Sequence, residues 1–411
     1  MIPEIELKSP QEIKQFQEVE LKRLIQYLEA NSSYYQKVFK QYNIKNSNIN
    51  TLEDLQKIPV TTKEDLHTYN DDFICVEPSK VIDYVTTSGT TGSPVFFGLS
   101  DKDLERLAYN EAISFACSKI TKNDTIQLMT TIDRRFLAGL AYFLGARKLG
   151  AGIIRVGAGI PELQWDSILK FKPSYLIAVP SFILKLIEYA ENNGIAINTS
   201  SVKGVICIGE PLKNQDFSDN ILSQKIKEKW NIELYSTYAS TEMSTAFSEC
   251  EYQQGGHHHP ELIIVEVLDD NNQPVKYGEE GELVITTLGV ETIPLLRFKT
   301  GDVVKAHNEP CECGRNTLRL GPVIGRKKHM IKYKGTTIYP PAMYNLLNDF
   351  SEIENYIIEL DKNEVGMDNI TIKLGTNASS EDLMQRLKDH MRAKLRVLPT
   401  IMILPIDDIS I

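Results

Sequence analysis

Between residues 101 and 250, short apolar runs alternate with helical stretches, and this alternation limits the possible folds more than any other feature. DKDLERLAYNEAISFAC reads as a helix, TIQLMTTI as a strand, FLAGLAYFLGARKLG as a helix and GAGIIRVG as a strand. SYLIAVP, KGVICIG and IELYSTY are further β-rich runs separated by helical stretches. Strands joined by helical crossovers run parallel, so the order implies a parallel sheet with covering helices. Ahead of it, residues 11–45 read as helical, with Leu21, Leu24, Ile25 and Leu28 at helical spacing. Thr62 is placed to cap a helix with Asp65 three residues on, and 81–100 reads strand, loop, strand. Between 261 and 305, LIIVEVLDDNNQPVKYGEEGELVITTL predicts a hairpin around an Asp-Asn-Asn turn, hence a β-rich subdomain over about 250–325. From about 327 to 411 a small α+β unit follows: strand, helix, two strands and a helix. The expected boundaries are 1–325 for a large α/β domain and 326–411 for a small one.

The 411 residues suffice for such a core, and the net charge of −10 argues against nucleic acid as the main partner. An anionic ligand must therefore be held by local donors. No apolar run reaches the length of about 18 residues that spans a bilayer, and the first residues lack the apolar stretch of a secretory signal, so no membrane partner is expected. Six cysteines in a chain this long are too sparse for a disulfide scaffold. A cytoplasmic protein is the expectation.

The strongest local signal is Thr86-Thr87-Ser88-Gly89-Thr90-Thr91-Gly92-Ser93-Pro94. Glycines let a backbone approach phosphate oxygens closely, and consecutive N–H groups with Ser and Thr hydroxyls supply neutral donors. No Gly-Lys-Ser/Thr follows, so it is not a Walker loop. The alternative is a plain turn.

This string resembles the phosphate loop of the adenylate-forming superfamily, which includes acyl-CoA synthetases and peptide-synthetase adenylation domains. Further strings occur in that superfamily's order: Gly209-Glu210-Pro211, Tyr235 to Glu242 (YSTYASTE), Thr300-Gly301-Asp302, and Gly325-Arg326 followed by IKYKG. The runs PSFILKLIEYA, GELVITTL with PLLRFKTGD, and CECGR before GPVIGR are similar to its phenylacetate-CoA ligase-like branch. The resemblance implies that Ser88, Gly89, Thr90, Thr91 and Gly92 cradle the β- and γ-phosphates of ATP. It implies that Thr241 touches the α-phosphate and Glu242 holds Mg²⁺. It further implies that Gly209, Glu210, Pro211, Tyr238, Ala239 and Ser240 line the nucleotide site, that Asp302 binds the ribose, and that Arg326 contacts ribose or phosphate. Tyr333, Lys334 and Gly335 would meet coenzyme A after rotation of a mobile small domain. Taken alone, Asp302 reads equally well as an ordinary turn residue, and Glu242 reads first as a helix-start carboxylate beside the macrodipole.

The sequence departs from that pattern in three places. Ala239 stands where the family has Gly beside the acyl group, and its methyl would narrow the acyl pocket. Lys328 and His329 replace the acidic hinge pair; some plant aryl-CoA ligases also use Lys there, which makes Lys328 the pivot. Related chains continue with Leu-Pro-Arg…Gly-Lys, whose Lys stabilises the adenylation transition state, whereas LPTIMILPIDDISI offers none. Lys332 and Lys334 are the candidates to replace it.

Cys311 and Cys313, with Cys250 upstream and a His257-His258-His259 run, form a Cys₃His set suited to tetrahedral Zn²⁺ in a structural role. Similar sets occur in the branch, and the distance back from IIVEV matches the family's histidine to His257, with His258 and His259 as fallbacks. The alternative is unligated loop cysteines beside a surface histidine run.

The resemblance thus implies an AMP-forming acid-CoA ligase that takes an aryl or small carboxylic acid through an acyl-adenylate to a thioester. Alternatives are transfer to a carrier protein or an amine, and a non-catalytic nucleotide-binding homologue. The branch is often dimeric, so a homodimer is possible.

Overall fold

A computed structural model describes residues 2–87, 95–333, 336–362, 368–376, 381–395, 397–406 and 409. The chain divides into two compact units, Met1–Thr300 with Val304–Pro322, and Gly301–Val303 with Val323–Ile411.

The first unit opens with the helix Pro10–Asn31, started by a reciprocal cap between Ser9 and Glu12 and a Pro at its first position. Leu21, Leu24, Ile25 and Leu28 are buried along one face. The helix expected over 11–45 breaks at Ser32, whose hydroxyl accepts from Tyr35 N and starts the helix Ser33–Gln41. Thr62 caps the helix Lys63–Thr68 through a reciprocal bond with Asp65. Asp83–Thr86 and Phe96–Leu99 then pair as antiparallel strands on either side of the Ser88–Pro94 segment, which lies outside the described residues.

Thr125–Leu128, Gly152–Arg155, Tyr175–Ala178, Gly204–Cys207 and Glu233–Ser240 form the expected parallel ladder, with Gly152–Arg155 at the edge. Alternate residues face opposite cores. Leu176, Ala178, Val205, Cys207 and Leu234 pack with Trp165 and Trp230. Tyr175, Ile177, Ile206 and Tyr235 pack with Phe115, Tyr142 and Ala146 on the other side. The helices Asp101–Cys117 and Leu137–Leu149 approach closely where Gly145 faces Glu111: a Cβ on Gly145 would lie 2.2 Å from Glu111 Cβ.

The β-rich segment is a continuation of this sheet. Glu233–Ser240 turns into the antiparallel strand Thr245–Ser248, and hydrogen bonding runs on through Gly256–His257, Arg319–Leu320, Phe298–His307 and Glu280–Thr287 to Ile263–Leu268. The expected hairpin forms between Ile263–Leu268 and Glu280–Thr287. Its turn is less simple than predicted. Asp269 Oδ1 accepts from Asn271 N and Gln273 N, so the chain reverses there, but the returning strand begins only at Glu280.

In the second unit the helices Pro340–Asn348 and Glu381–Leu395 bury Met343, Leu346, Leu347, Leu383, Leu387 and Met391 against a sheet of Asn355–Lys362, Asp368–Gly375 and Thr400–Leu404. The last of these strands was not expected from the sequence. It pairs parallel with Asp368–Gly375.

Candidate functional site

In open α/β sheets, ligands are held outside the carboxyl ends of the strands. Two of the sequence motifs, Gly209–Pro211 and Thr241–Glu242, follow the strands Gly204–Cys207 and Glu233–Ser240. Gly209-Glu210-Pro211 follows the strand Gly204–Cys207, and Gly209 has φ +78°, a conformation glycine adopts freely. The Glu210 carboxylate accepts from Ser181 N and Ser181 Oγ at 2.8 Å each, at the start of the helix Pro180–Asn192. Pro211 O accepts from Asn220 Nδ2 at 2.8 Å. Thr86 N, at the stem of the phosphate-loop string, donates to Arg135 O in the loop that follows the strand Thr125–Leu128. Ser88, Gly89, Thr90, Thr91 and Gly92 themselves lie outside the described residues.

Thr241 and Glu242 occupy the tip of the hairpin between Glu233–Ser240 and Thr245–Ser248. Glu242 is therefore in a β-turn, and the reading of it as a helix-start carboxylate is corrected: the antiparallel partner strand follows at once. The turn is tied internally. Ser244 N donates to Ser240 O at 3.2 Å, Ser244 Oγ to Thr241 O at 3.1 Å, and Met243 N to Ser240 Oγ at 3.3 Å. Ala239 pairs with Ala246, and the Tyr238 ring packs on Phe247 at 6.0 Å. Sequence reasoning missed Lys63, whose Nζ lies 3.8 Å from Glu242 Oε1.

In the second unit, Asp302 pairs with Arg326 across an antiparallel bridge, and Arg326 Nε lies 3.3 Å from Asp302 Oδ1. The two residues expected from the resemblance to meet ribose and phosphate are thus neighbours. Gly325 permits this because a Cβ there would meet the Tyr339 ring at 2.6 Å. Lys328 is exposed in a single 3₁₀ turn, Lys327–His329. Tyr333 is a core residue, with its hydroxyl donating to Leu398 O at 3.3 Å. Lys334 and Gly335 lie outside the described residues.

A second site gathers Cys250, His257, Cys311 and Cys313, whose ligand atoms all lie within 4.8 Å of one another. Strand pairing builds it: His257 sits between Ser248 and Arg319 on neighbouring strands, with Cys250 two residues beyond Ser248. Cys311 and Cys313 come from a knuckle closed by Gly314 N to Cys311 O at 2.9 Å, with Gly314 at φ +89°. Cys250 Sγ and Cys311 Sγ are 3.6 Å apart, and Cys313 Sγ and His257 Nε2 3.5 Å. His257 Nδ1 faces Thr317 Oγ1 at 3.1 Å, which leaves Nε2 for the cluster. A hydrogen bond from Cys250, then His257 and Arg315, push the Cys313 thiol down toward thiolate. Three sulfurs and one ring nitrogen at these separations fit a tetrahedral soft-metal site. The two fallback histidines face elsewhere. His258 Nε2 meets Ile263 O and Gln17, and His259 Nδ1 meets Glu6.

Sequence reasoning missed the support beneath this cluster. Glu6, fully buried, holds His259 Nδ1 at 2.5 Å with one oxygen and Arg315 Nε at 2.7 Å with the other, and Arg315 Nη1 donates to Cys313 Sγ at 3.4 Å. Glu6 stands in a short 3₁₀ turn with no motif around it, so no local signal could have found it.

No described helix is long and apolar enough to cross a membrane. The chain is 28% identical to a phenylacetate-coenzyme A ligase of Thermus thermophilus, over 90% of this chain and 83% of that one. It is 27% identical to that of Escherichia coli K12, over 95% and 89%. Its fold matches the crystal structure of 2-hydroxyisobutyryl-CoA ligase with 2-HIB-AMP bound, at a TM-score of 0.87 and 23% identity, over 99% of this chain and 89% of that one. The AMP-binding enzyme family matches residues 13–291, more than half of the sequence, and the chain belongs to that family.

Proposed function

We propose that this enzyme is an AMP-forming acid-CoA ligase. The observation that carries the reading is the rim of the parallel sheet, where the Gly209–Pro211 loop and the Thr241–Glu242 turn stand at the ends of neighbouring strands. The similarity to ligases that form phenylacetyl- and 2-hydroxyisobutyryl-CoA supports it and favours a small or aryl acid.

A carboxylate oxygen of the acid attacks the α-phosphorus of ATP; the bond to the β-phosphate oxygen breaks and pyrophosphate leaves. Thr241 contacts the α-phosphate, and Glu242 would hold Mg²⁺, which when bound would supply charge neutralisation at the phosphates. The loop Ser88–Gly92 cradles the β- and γ-phosphates, Gly209 to Pro211 and Tyr238 frame adenine, and Asp302 and Arg326 serve the ribose and phosphate. The sulfur of coenzyme A then attacks the acyl carbon, the acyl–phosphate C–O bond breaks and AMP departs. No enzyme nucleophile is needed, so catalysis rests on positioning and charge. Coenzyme A is favoured over a carrier protein or an amine because relatives that match over 90% and 95% of this chain are named coenzyme A ligases.

The Cys250–His257–Cys311–Cys313 cluster binds Zn²⁺ in this reading, and the metal would tie the hairpin strands to the 311–314 knuckle. Incubation with ATP, Mg²⁺, coenzyme A and a panel of aryl and short aliphatic acids, with thioesters read by mass spectrometry, tests the reaction. An acid-dependent acyl-CoA supports it; an acyl-hydroxamate trapped with hydroxylamine but no acyl-CoA points to another acceptor.

A further inference from the structure

The helix Asp101–Cys117 grips the Thr241–Glu242 hairpin through two residues one helical turn apart. Arg106 Nη1 donates to Ser244 O at 2.6 Å, and Nη2 to Thr245 Oγ1 at 3.1 Å and to Leu262 O at 2.6 Å. Its Nε donates to Leu288 O at 2.6 Å. On the same helix face, Asn110 Oδ1 accepts from Ala246 N at 3.1 Å. Arg106 is buried, and its described hydrogen bonds all go to main-chain oxygens and one hydroxyl, while the Asp103 and Glu261 carboxylates act on it only from a distance. Burial lowers it to about 10, so it remains a cation at neutral pH.

A buried guanidinium that spends its hydrogen bonds on main-chain oxygens and one hydroxyl, with no carboxylate bonded to it directly, is an expensive way to fill a core. What it holds explains the choice. Ser244 has φ +47°, a left-handed conformation unfavourable for any residue but glycine and, to a lesser degree, Asn and Asp. The Arg106 bond falls on the carbonyl of that strained residue, two positions after Glu242. The planar fork reaches three chain segments at once, the turn and the 262 and 288 carbonyls, which a lysine ammonium could not match.

We propose that Arg106 is a positioning residue for Thr241 and Glu242: by fixing the Ser244 carbonyl it sets the turn that presents both side chains to the magnesium–nucleotide complex. The proposal rests on the role given above to Glu242. Loosening a turn that carries a metal ligand degrades both binding and rate, and a misplacement of about 1 Å is enough to lose on the order of 100-fold.

The test compares wild type, Arg106→Lys, Arg106→Gln and Arg106→Ala, with Arg297→Lys as the control. Arg297 is another buried arginine, bonded to Ile58 O and Glu266. Calorimetry with Mg–ATP and acid-dependent pyrophosphate exchange are run over a magnesium titration, with melting temperatures alongside. The expected result is Mg–ATP binding weakened about tenfold and exchange slowed about 100-fold in Arg106→Ala, with a smaller loss in Arg106→Lys. A small cavity lined by Leu99, Asp103, Leu107, Ser244 and Val290 adjoins Arg106, so added guanidinium at sub-denaturing concentration should restore part of the rate in Arg106→Ala. Arg297→Lys should lower the melting temperature without moving the magnesium dependence. Arg106 variants that melt earlier but bind Mg–ATP and depend on magnesium as wild type does, unaffected by guanidinium, overturn the proposal and leave Arg106 structural. Wild type that binds no Mg–ATP removes the role of Glu242 itself, and the proposal with it.

Discussion

Lys63 Nζ lies 3.8 Å from Glu242 Oε1, the pair joining the first residue of the Lys63–Thr68 helix to the tip of the 240–245 hairpin. The reciprocal Thr62–Asp65 cap fixes where that helix begins, and so where the ammonium stands. A cation beside the carboxylate proposed to hold Mg²⁺ is placed to neutralise it before the nucleotide arrives and to meet phosphate oxygens afterwards. Partly exposed pairs contribute only about 0–1 kcal/mol to stability. Lys63→Ala should therefore melt close to wild type while losing about 10- to 100-fold in pyrophosphate exchange. Equal activity would show that the pair is a surface contact.

Glu6 ties the N-terminal turn to the cysteine–histidine cluster through His259 and Arg315, with all three side chains almost wholly buried. Removing one partner leaves buried charge uncompensated, at a cost of about 3–5 kcal/mol. Urea unfolding of Glu6→Ala should show a loss of that size. A loss below about 1 kcal/mol would mean that water reaches Arg315.

The Cys₃His geometry predicts one zinc per chain in wild type by metal analysis. Cys311→Ser combined with Cys313→Ser should abolish it and lower the melting temperature, and a chelator should do the same to wild type only. Wild type free of metal after expression in zinc-supplemented medium, with an unchanged melting temperature on adding zinc, would contradict the assignment.

Burial pushes the Glu111 carboxyl up to about 8, despite a bond from Asn110 Nδ2 at 3.0 Å. Between the ordinary carboxyl value near 4.5 and about 8, the folded chain keeps a proton that the unfolded chain has released. Stability contributed by this group is thus present at low pH and declines as pH rises across that window. Glu111→Gln keeps the shape without the titration. Its advantage over wild type in denaturant unfolding should grow from pH 5 to pH 8, reaching on the order of a few kcal/mol. A constant difference between the two across that range would show that Glu111 stays ionised.

Much of this architecture was readable because its causes are local. The helix at 101–117 coincides with its pattern because Ser100 and Asp103 cap it reciprocally, and the parallel strands announced themselves as short apolar runs between helices. His257 was separable from His258 and His259 only through the resemblance; the structure gives the reason in strand alternation and in what each ring faces. Non-local features stayed hidden. Thr400–Leu404 is flanked by prolines and pairs with a strand across a helix, so its sequence reads equally as a tail. The β-rich segment looked separate because its strands change from parallel to antiparallel, yet the ladder is continuous through Thr245–Ser248. Lys63, Glu6 and Arg106 meet partners far along the chain, and no spacing rule links them.

Acid-dependent exchange of labelled pyrophosphate into ATP, measured in wild type and Glu242→Ala with Mg²⁺ present, bears most directly on acid activation. Adenylate formation at this rim predicts exchange with at least one aryl or small aliphatic acid, lost by about 100-fold or more in Glu242→Ala. Exchange that persists in Glu242→Ala, or none in wild type with any acid despite Mg–ATP binding, would contradict it.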